Sequence, residues 1–464
     1  MEFIGRKEER EILKELYKSK GLKGAILYGR RRTGKTSLLL ESAKDFQGKV
    51  IYYQCLDTID SVNAENLISC IKNQFPEMTF FGKPQFIDVL SLIFSMAKKE
   101  NILLILDEYS YLKDQDLIDS YLQSLIDKNQ DLNLKIVLAG SYVNIMEHLL
   151  DYDHPLHGRF LHSIHLEPFD YFESSLFYPQ ASSKDKVRYY SIFGGVPYYL
   201  SLIRPELSFE ENLKALLLSK NALLEQEIDT IITGEYSKIG NASFVMSLIT
   251  EGKHSYTDIN QAFKAHVKKG DLNYILKKLC DMKLLSKTYA INDKNQKNAY
   301  YEIEDNLYAF YYQVIYRSLS AKPIMSLEEY YDVFIKDKMN QSFIPHRFEK
   351  IAKEYLIRLN KANKVKPSFF AIGSYTYNNA KKHKNGQFDI VTKDNIGNTF
   401  YECKFTKEKL GESVVQEEKR QLQELGIPYY RLGFFSASGF DLNKNQTDLY
   451  FTIDDLYSKD LMDE

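Results

Sequence analysis

Five short apolar runs punctuate the first 170 residues and alternate with helical stretches: "AILY" (25–28), "KVIYYQC" (49–55), "NILLIL" (101–106), "KIVLAGS" (135–141) and "FLHSIHL" (160–166). Each run is short and nearly unbroken, as in a strand buried on both faces, and the alternation with helices such as "TSLLLESAKDF" (36–46) predicts a doubly wound α/β core. A polar break, "PQASSKDK" (179–186), precedes "FGGVPYYL" (193–200), and "RPELS" (204–208) opens a new segment. From about 236 to 317 the pattern changes to three helices and a hairpin: "ASFVMSLITEG", "SYTDINQAF", "DLNYILKKLCDMKLL", then "SKTYAIND" and "NAYYEIED". This order predicts a winged helix. In its third helix Leu272, Ile275, Leu276 and Leu279 form the inward stripe. After "RSLSAKPIMS" (317–326) come helices including "HRFEKIAKEYLIRL" (346–359), then strands "QFDIVT" (387–392) and "NTFYECKF" (398–405), then the helix "ESVVQEEKRQLQEL" (412–425). The expected division is 1–205, 206–320 and 321–464.

Composition narrows the class. The chain has 464 residues, 44% hydrophobic and 27% charged, with no long biased tract, so it reads as globular throughout. No apolar run approaches a membrane span and "MEFIGRKEER" is too charged for a signal peptide, which predicts a soluble, cytoplasmic protein without a membrane partner. The four cysteines lie far apart with no CxxC pair, fitting reduced thiols better than zinc or disulfides. A net charge of −2 leaves any nucleic-acid binding to local basic patches.

The sharpest chemical signal is "GRRRTGKT", residues Gly29, Arg30, Arg31, Arg32, Thr33, Gly34, Lys35 and Thr36, which matches G-x-x-x-x-G-K-[ST] between a strand and a helix and, with Ser37 after it, is the expected nucleotide-binding segment. Glycines let the backbone turn around phosphates, and the helix N-terminus offers free N–H groups to anions. Lys35 is expected to reach the β- and γ-phosphates of ATP, and Thr36 to ligate Mg²⁺. The run "ILLILDE" ends in Asp107 and Glu108 at the ligand-binding edge of such a sheet. Asp107 is expected to hold Mg²⁺ through water and Glu108 to orient or deprotonate the attacking water. Ser141 ends the fourth strand, where its hydroxyl either senses the γ-phosphate or N-caps the helix "VNIMEHLL".

The motifs "FIGRKEER" (3–10), the phosphate loop, "LDE" (106–108), "GSYVNIM" (140–146), "HPLHGRF" (154–160) and "FGGVPYYL" (193–200), in that order, resemble the archaeal-type ATPases of the STAND/AAA+ superfamily over roughly the first 200 residues. The resemblance implies that Ile4, Gly5 and Arg6 lie near the adenine. It also implies that Arg159 is a finger stabilising the transferring phosphate, supplied in trans within a homo-oligomer; an ordinary surface arginine is the alternative. A winged helix follows the ATPase in this family, and Lys268, Lys269, Lys277 and Lys278 either face DNA phosphates or form a solvated face.

Asp389, Glu402 and Lys404 interrupt otherwise apolar strands. A hairpin whose turn centres between Asn395 and Ile396 sets Asp389 directly opposite Glu402, with Lys404 on the same face and Phe388, Ile390, Tyr401, Cys403 and Phe405 on the other. Two carboxylates about 5 Å apart repel by about 3 kcal/mol at an effective dielectric of 20. A divalent cation, Mg²⁺ or Mn²⁺, held by Asp389 and Glu402 removes that cost, and Lys404 then positions the attacking water. The pattern resembles PD-(D/E)xK nucleases, and the 321–464 segment resembles the restriction-endonuclease-like domain fused to this ATPase family. The resemblance adds Glu349 on the first helix and, as a second-tier residue, Gln416. Lys361, Lys364, Lys366 and the "AKKHK" run (380–384) are the expected backbone-binding lysines, with nucleic acid, DNA first, as the partner. The leading expectation is an ATPase that controls a metal-dependent nuclease. Its competitors are a nucleotide switch with a non-catalytic DNA- or protein-binding C-terminal domain, and a regulator acting through the winged helix.

Overall fold

In the computed structural model, which describes residues 3–79, 82–234, 239–294, 296–379 and 384–458, the N-terminal apolar runs form five parallel strands: β1 (Lys23–Tyr28), β2 (Lys49–Gln54), β3 (Ile102–Asp107), β4 (Leu134–Gly140) and β5 (His162–His165). Their order is β2-β3-β4-β1-β5. Helices α1 (Lys7–Lys18), α2 (Lys35–Ala43), α3 (Asp60–Gln74), α4 (Phe86–Met96), α5 (Gln115–Lys128) and α6 (Val143–His148) connect and cover them.

Alternate residues of each strand serve opposite layers. Ala25, Leu27, Leu103, Ile105 and Val137 pack with Leu13 and Leu16 of α1 and Leu38 of α2. Ile26, Leu104, Ile136 and Leu138 pack with Leu67 of α3, Leu90 of α4 and Leu122 of α5. This is why β3 and β4 are buried along their full length and are aliphatic over most of it, Ile102–Leu106 and Ile136–Ala139: a strand covered on both faces has no polar side to alternate with. Because β4 lies between β1 and β3, the ends of all three strands meet at the carboxyl edge of the sheet.

The chain divides into two compact units, Met1–Pro168 and Phe169–Glu464. The expected boundaries at 205/206 and 320/321 both fall inside the second unit. There one apolar core runs from Phe169 and Tyr199 through Leu276 and Phe310 to Ile351 and Phe435, so those segments share packing.

Within the second unit, helices Ala242–Thr250, Tyr256–His266 and Leu272–Asp281 precede an antiparallel pair, β6 (Leu285–Thr288) and β7 (Tyr300–Ile303), matching the expected three helices and hairpin. Leu272, Ile275, Leu276 and Leu279 are buried. Lys268, Lys269 and Lys277 are exposed, the first two on the approach to the helix, and Lys278 lies over the Tyr274 ring at 6.0 Å from its centroid.

The C-terminal part holds a five-stranded mixed sheet built from β8 (Ala371–Asn379), β9 (Lys384–Lys393), β10 (Asn398–Lys404), β12 (Arg431–Ser436) and β14 (Leu449–Thr452), in the order β14-β12-β10-β9-β8. A second small sheet pairs β11 (Leu410–Gly411) with β13 (Phe440–Asp441). β8, β9 and β10 run as an antiparallel meander, while β12 and β14 run parallel to β10. The helix Ile344–Lys361 contributes Ile351 and Tyr355 to the core that holds Ile390 and Tyr401. The helix Glu412–Leu425 contributes Val415 and Leu422 to a separate core with Val391, Phe400 and Phe434.

The β9–β10 register pairs Lys393 with Asn398, Thr392 with Thr399, Val391 with Phe400 and Ile390 with Tyr401. It is the register a turn centred between Asn395 and Ile396 imposes, and Asp394 closes that turn by accepting the N–H groups of Ile396 (2.7 Å) and Gly397 (2.9 Å). The ladder ends at Ile390–Tyr401, one step before Asp389 and Glu402. Against β8 the pairing jumps from Gly373–Val391 to Tyr375–Phe388, so β9 carries a bulge at Asp389 and Ile390. The extra residue breaks the expected alternation. Phe388 packs with Val391 and Phe400, in the core opposite to that of Ile390, and Asp389 and Glu402 do not form a facing ladder pair.

Candidate functional site

The phosphate loop is shaped by two glycines and held from below. A Cβ on Gly29 would lie 2.3 Å from the Leu166 carbonyl oxygen, so only glycine lets the loop leave β1 this close to the segment that follows β5. Gly34, with φ 90°, turns the chain into α2. The Thr33 hydroxyl donates to the Arg30 carbonyl at 2.8 Å, closing the loop on itself. The buried Arg6 guanidinium donates to the Thr33 carbonyl (3.3 Å) and the Glu167 carbonyl (2.5 Å). Arg6 therefore braces the loop, while Ile4 and Gly5 are half-buried beside it in sequence. Arg31 donates to the Tyr111 hydroxyl at 2.6 Å, and the Tyr111 ring lies 5.6 Å from that of Tyr142.

Lys35 is buried, and its ammonium donates to the carbonyls of Gly29 (2.7 Å) and Arg30 (3.0 Å). Burial lowers its pKa, with Glu108 and Asp107 pulling the other way. Thr36 and Ser37 are exposed at the first turn of α2. The Thr36 hydroxyl donates to Asp107 Oδ2 at 2.6 Å. Asp107 is fully buried at the end of β3; the Tyr52 hydroxyl donates to the same oxygen (3.0 Å) and the Glu108 N–H to Oδ1 (2.9 Å). Burial first, then the Asp107 charge, pushes the Tyr52 hydroxyl well above its ordinary value, so it remains a donor.

Glu108 leaves the strand in the left-handed region, φ 50°. Its Oε1 accepts from the Ser141 hydroxyl at 2.6 Å and its Oε2 from the Ser141 N–H at 3.1 Å. Tyr142, not Ser141, occupies the N-cap position of α6. The capping alternative for Ser141 is therefore not realised, because Ser141 lies one residue before the N-cap position.

These groups fit ATP with Mg²⁺. Free α2 N–H groups and a lysine converge on one loop, and a hydroxyl and a buried carboxylate stand in contact, as the two sides of an ion's ligand shell require. Thr36 and Asp107 would hold the ion, which would draw charge from the phosphates.

In the second unit the acidic residues come from three elements. Glu349 lies on the helix Ile344–Lys361, where burial pushes its carboxyl up, His346 pulls it back, and the charges of Asp389 and then Glu402 push it further up. His346 Nδ1 is 3.0 Å from Glu349 and its Nε2 is 3.1 Å from Glu302 of β7; hydrogen bonding to Glu302 and Glu349 raises the imidazole to about 9. Lys350 also pairs with Glu302, at 3.2 Å. Asp389 accepts from the Gln387 side chain at 3.0 Å. A cleft of about 680 Å³ opens here, lined by Thr288 and Tyr300 of the hairpin, Glu349 and Lys353 of the helix, and Ser374 and Asp389 of the sheet. Glu402 forms an ion pair with Lys404. Among the described residues, no group of three or more His, Cys, Asp or Glu side chains is arranged to hold a metal ion.

Residues 3–203 match a family described as an ATPase domain predominantly from Archaea. Residues 3–203 are an archaeal-type ATPase domain, and the protein is an ATPase. Residues 311–421 match a second family, of archaeal and bacterial proteins of unknown function. An uncharacterised protein of Methanocaldococcus jannaschii is 28% identical over 396 residues, 84% of each chain. A Walker-type ATPase of Pyrococcus abyssi superposes with a TM-score of 0.52 at 18% identity, over 67% of this chain and 96% of that one. The ORC2 protein of Aeropyrum pernix superposes more loosely, with a TM-score of 0.49 at 15% identity over 70% of this chain and 96% of its own.

The ATPase brings Gly29, Gly34, Lys35, Thr36, Asp107, Glu108 and Ser141 together at one edge of its sheet. Arg159 is elsewhere. Phe160 packs on Gly24 and the Leu161 N–H reaches the Gly24 carbonyl, near the start of β1, whereas the phosphate loop follows its end. Arg159 donates to both oxygens of Asp127 (2.9 and 2.8 Å), so it does not serve the phosphate loop of its own chain.

Two groups escaped the sequence reading. Tyr52 looked like one more aromatic in a strand, and only the β2–β3 pairing carries its hydroxyl to Asp107. On the helix Glu412–Leu425 the residue facing the pair is Glu418: burial, then Glu402, pushes its carboxyl up to about 7, with Lys404 pulling it back. Gln416, the residue proposed from sequence, instead donates to Glu412 on the exposed face. Helical spacing distinguishes positions 416 and 418, but which one faces β10 depends on packing. The "AKKHK" run lies outside the described residues, apart from the backbone of Lys384; Lys361, Lys364 and Lys366 are exposed.

Proposed function

We propose that ATP hydrolysis in this protein governs a metal-dependent nuclease acting on nucleic acid, DNA in the first instance, with Glu349, Asp389, Glu402 and Lys404 as its working groups. The observation that supports this most is the Glu349 carboxyl, which is raised by burial first and then by the charges of Asp389 and Glu402: acids from a helix and two strands lie within electrostatic reach of one another. The order of helix, three-stranded antiparallel meander, helix and parallel strand supports the same reading. Mg²⁺ or Mn²⁺ held by Asp389 and Glu402, with Glu349 completing the set, would polarise a scissile phosphate. Lys404 would position the attacking water once Glu402 turns from the ammonium to the ion. Exposed Lys268, Lys269, Lys277, Lys361 and Lys366 are suited to backbone phosphates.

In the ATPase domain, Glu108 would take the proton of the attacking water, Lys35 would neutralise the β- and γ-phosphates, and Arg159 would serve the site of a neighbouring protomer in a homo-oligomer. The decisive assay is cleavage of labelled single- and double-stranded DNA in Mg²⁺ or Mn²⁺, with and without ATP, beside Glu402→Ala and Lys404→Ala. Cleavage by the wild type that both substitutions abolish is the expected result; ATP dependence would tie it to the first domain.

One observation favours a second reading, a nucleotide switch whose C-terminal domain binds without cutting: among the described residues no three metal-ligating side chains are grouped, and Lys404 already neutralises Glu402. DNA left intact under every condition, yet bound in an ATP-dependent manner, is the outcome this reading expects.

A further inference from the structure

The β6–β7 hairpin is tied down at both ends. At its base, Glu302 of β7 is 3.1 Å from His346 and 3.2 Å from Lys350, and Arg347 donates to the Ile303 carbonyl at 3.3 Å, which fixes β7 to the helix Ile344–Lys361. At its tip, the Ile291 N–H donates to the Ser374 carbonyl at 2.8 Å. The Asn292 side chain donates to the Thr376 carbonyl (2.7 Å) and accepts the Thr376 N–H (3.1 Å). These bonds cover the outer edge of β8, the end strand of the mixed sheet, as a further strand would. The hairpin is thus a bridge from the helix to the sheet.

The cleft of about 680 Å³ lies between this bridge, the helix and the sheet. Glu349 and Asp389 line it from the helix and from β9, and Tyr289 and Tyr300 line it from the hairpin. Glu402, on β10, is one strand further in and does not line it. Such a volume suits one small-molecule-sized ligand (about 300–1,000 Å³). A duplex is far wider, its major groove alone measuring about 12 Å across. Stacking separates the two forms of nucleic acid as well. Bases in a duplex are stacked on each other, whereas a single strand offers their faces to aromatic rings. Tyr300 is braced for that contact by the His254 ring, which lies 4.4 Å away and within 15° of parallel.

Charge sets the remaining requirement. Of the acids that line the cleft, Glu302 is paired with His346, Arg347 and Lys350, and burial keeps the Glu354 proton in place up to about pH 8. Asp293, Glu304, Glu349 and Asp389 carry the repulsion that a phosphate meets, so binding should need a divalent cation. Lys353 in the cleft and exposed Lys294 and Lys297 near the hairpin tip offer the strand its positive contacts.

We propose that the substrate of this site is single-stranded DNA, a free strand or a frayed end threaded into the cleft, and that the bridging hairpin turns duplex away. The inference rests on the nuclease reading above and names the substrate class of that site.

The test measures binding apart from cutting, with the full-length protein. Fluorescence anisotropy follows one labelled oligonucleotide of mixed sequence, as a single strand and as a blunt duplex, in Ca²⁺; cleavage of both is followed in Mg²⁺. The single strand should bind at least about tenfold more tightly than the duplex. Asn292→Ala removes both side-chain bonds to Thr376 and should bring the duplex within about threefold of the single strand. Replacing residues 291–297 by two glycines removes the tip altogether and should abolish the difference; where Asn292→Ala leaves the tip in place, this variant decides. Tyr289→Ala should weaken single-strand binding about fivefold and leave the duplex unchanged. Equal binding of the two forms by the wild type, binding of neither, or a single-strand preference that survives the shortened hairpin overturns the proposal. Single-strand preference without cleavage supports it and counts against the nuclease reading. Cutting within the duplex by the wild type does the reverse.

Discussion

The Thr36 hydroxyl and Asp107 Oδ2 are hydrogen-bonded at 2.6 Å although 71 residues separate them in the chain. Thr36 lies in the first turn of α2, which follows β1, and Asp107 closes β3; β4 lies between those two strands, so the contact exists only because the parallel sheet brings its carboxyl ends into line. It joins the two groups that are proposed to hold Mg²⁺. Asp107→Asn keeps the size of the side chain but not its charge, and should lower ATP turnover about 10- to 100-fold, with a raised Mg²⁺ requirement. Phosphate release followed across a Mg²⁺ titration checks both effects.

Tyr52 gives Asp107 its second donor on the same oxygen. Tyr52→Phe removes one hydroxyl from a half-buried position and leaves the Thr36 and Glu108 N–H contacts standing. The apparent affinity for Mg²⁺·ATP should weaken several-fold, on the order of 1 kcal/mol for one hydrogen bond. ADP binding measured without Mg²⁺ should not change, which separates an effect on the ion's ligand from general damage to the pocket.

Glu354 accepts from the Tyr190 hydroxyl and the Tyr171 N–H, each at 3.0 Å. Burial, and then the charge of Asp170, pushes its carboxyl up to about 8. The folded state therefore holds a proton that the unfolded chain releases near pH 4.3. The stability this contributes is complete below that value, declines as pH rises, and is lost once pH passes about 8. Each pH unit is worth about 1.4 kcal/mol, so the decline should amount to a few kcal/mol. Glu354→Gln keeps an acceptor for both donors and cannot ionise; thermal melts from pH 5 to 9 should be flatter for this variant than for the wild type.

Arg159 and Asp127 form a bidentate pair on the surface of the first unit. Exposed pairs of this kind contribute at most about 1 kcal/mol, so Arg159→Ala should leave the melting temperature nearly unchanged. If Arg159 serves a neighbour, turnover should fall without loss of ATP affinity. Mixing Arg159→Ala with Lys35→Ala should then restore activity, because each protomer supplies what the other lacks. Two inactive variants that stay inactive when mixed would leave Arg159 as a surface arginine.

The strand–loop–helix segment that carries the phosphate-loop motif was legible because its parts are local. A phosphate loop must run straight from a buried strand into a helix, so Gly29, Gly34, Lys35 and Thr36 occupy fixed spacings, and Asp107 with Glu108 must close an aliphatic strand. The hairpin register was legible for the same reason: the Asp394 turn determines every pair up to Ile390–Tyr401. The bulge at Asp389 and Ile390 was not, because it arises from pairing with β8, and alternation along β9 alone gives no sign of it. Glu418 and Tyr52 were missed because their importance depends on which neighbour each faces across another element.

By itself, then, the sequence determined the parallel α/β core, the three-helix-and-hairpin segment, the phosphate loop and the acids at the ends of its strands. These follow from hydrophobic periodicity and from backbone geometry, both of which act between residues close in the chain. Tertiary structure decided which hydroxyl reaches Asp107, that Ser141 donates to Glu108 while Tyr142 takes the N-cap position of α6, and that Arg159 lies away from its own phosphate loop. A hydrogen bond forms over about 3 Å, and which groups come that close is set by strand order and packing between distant segments, which no local pattern encodes.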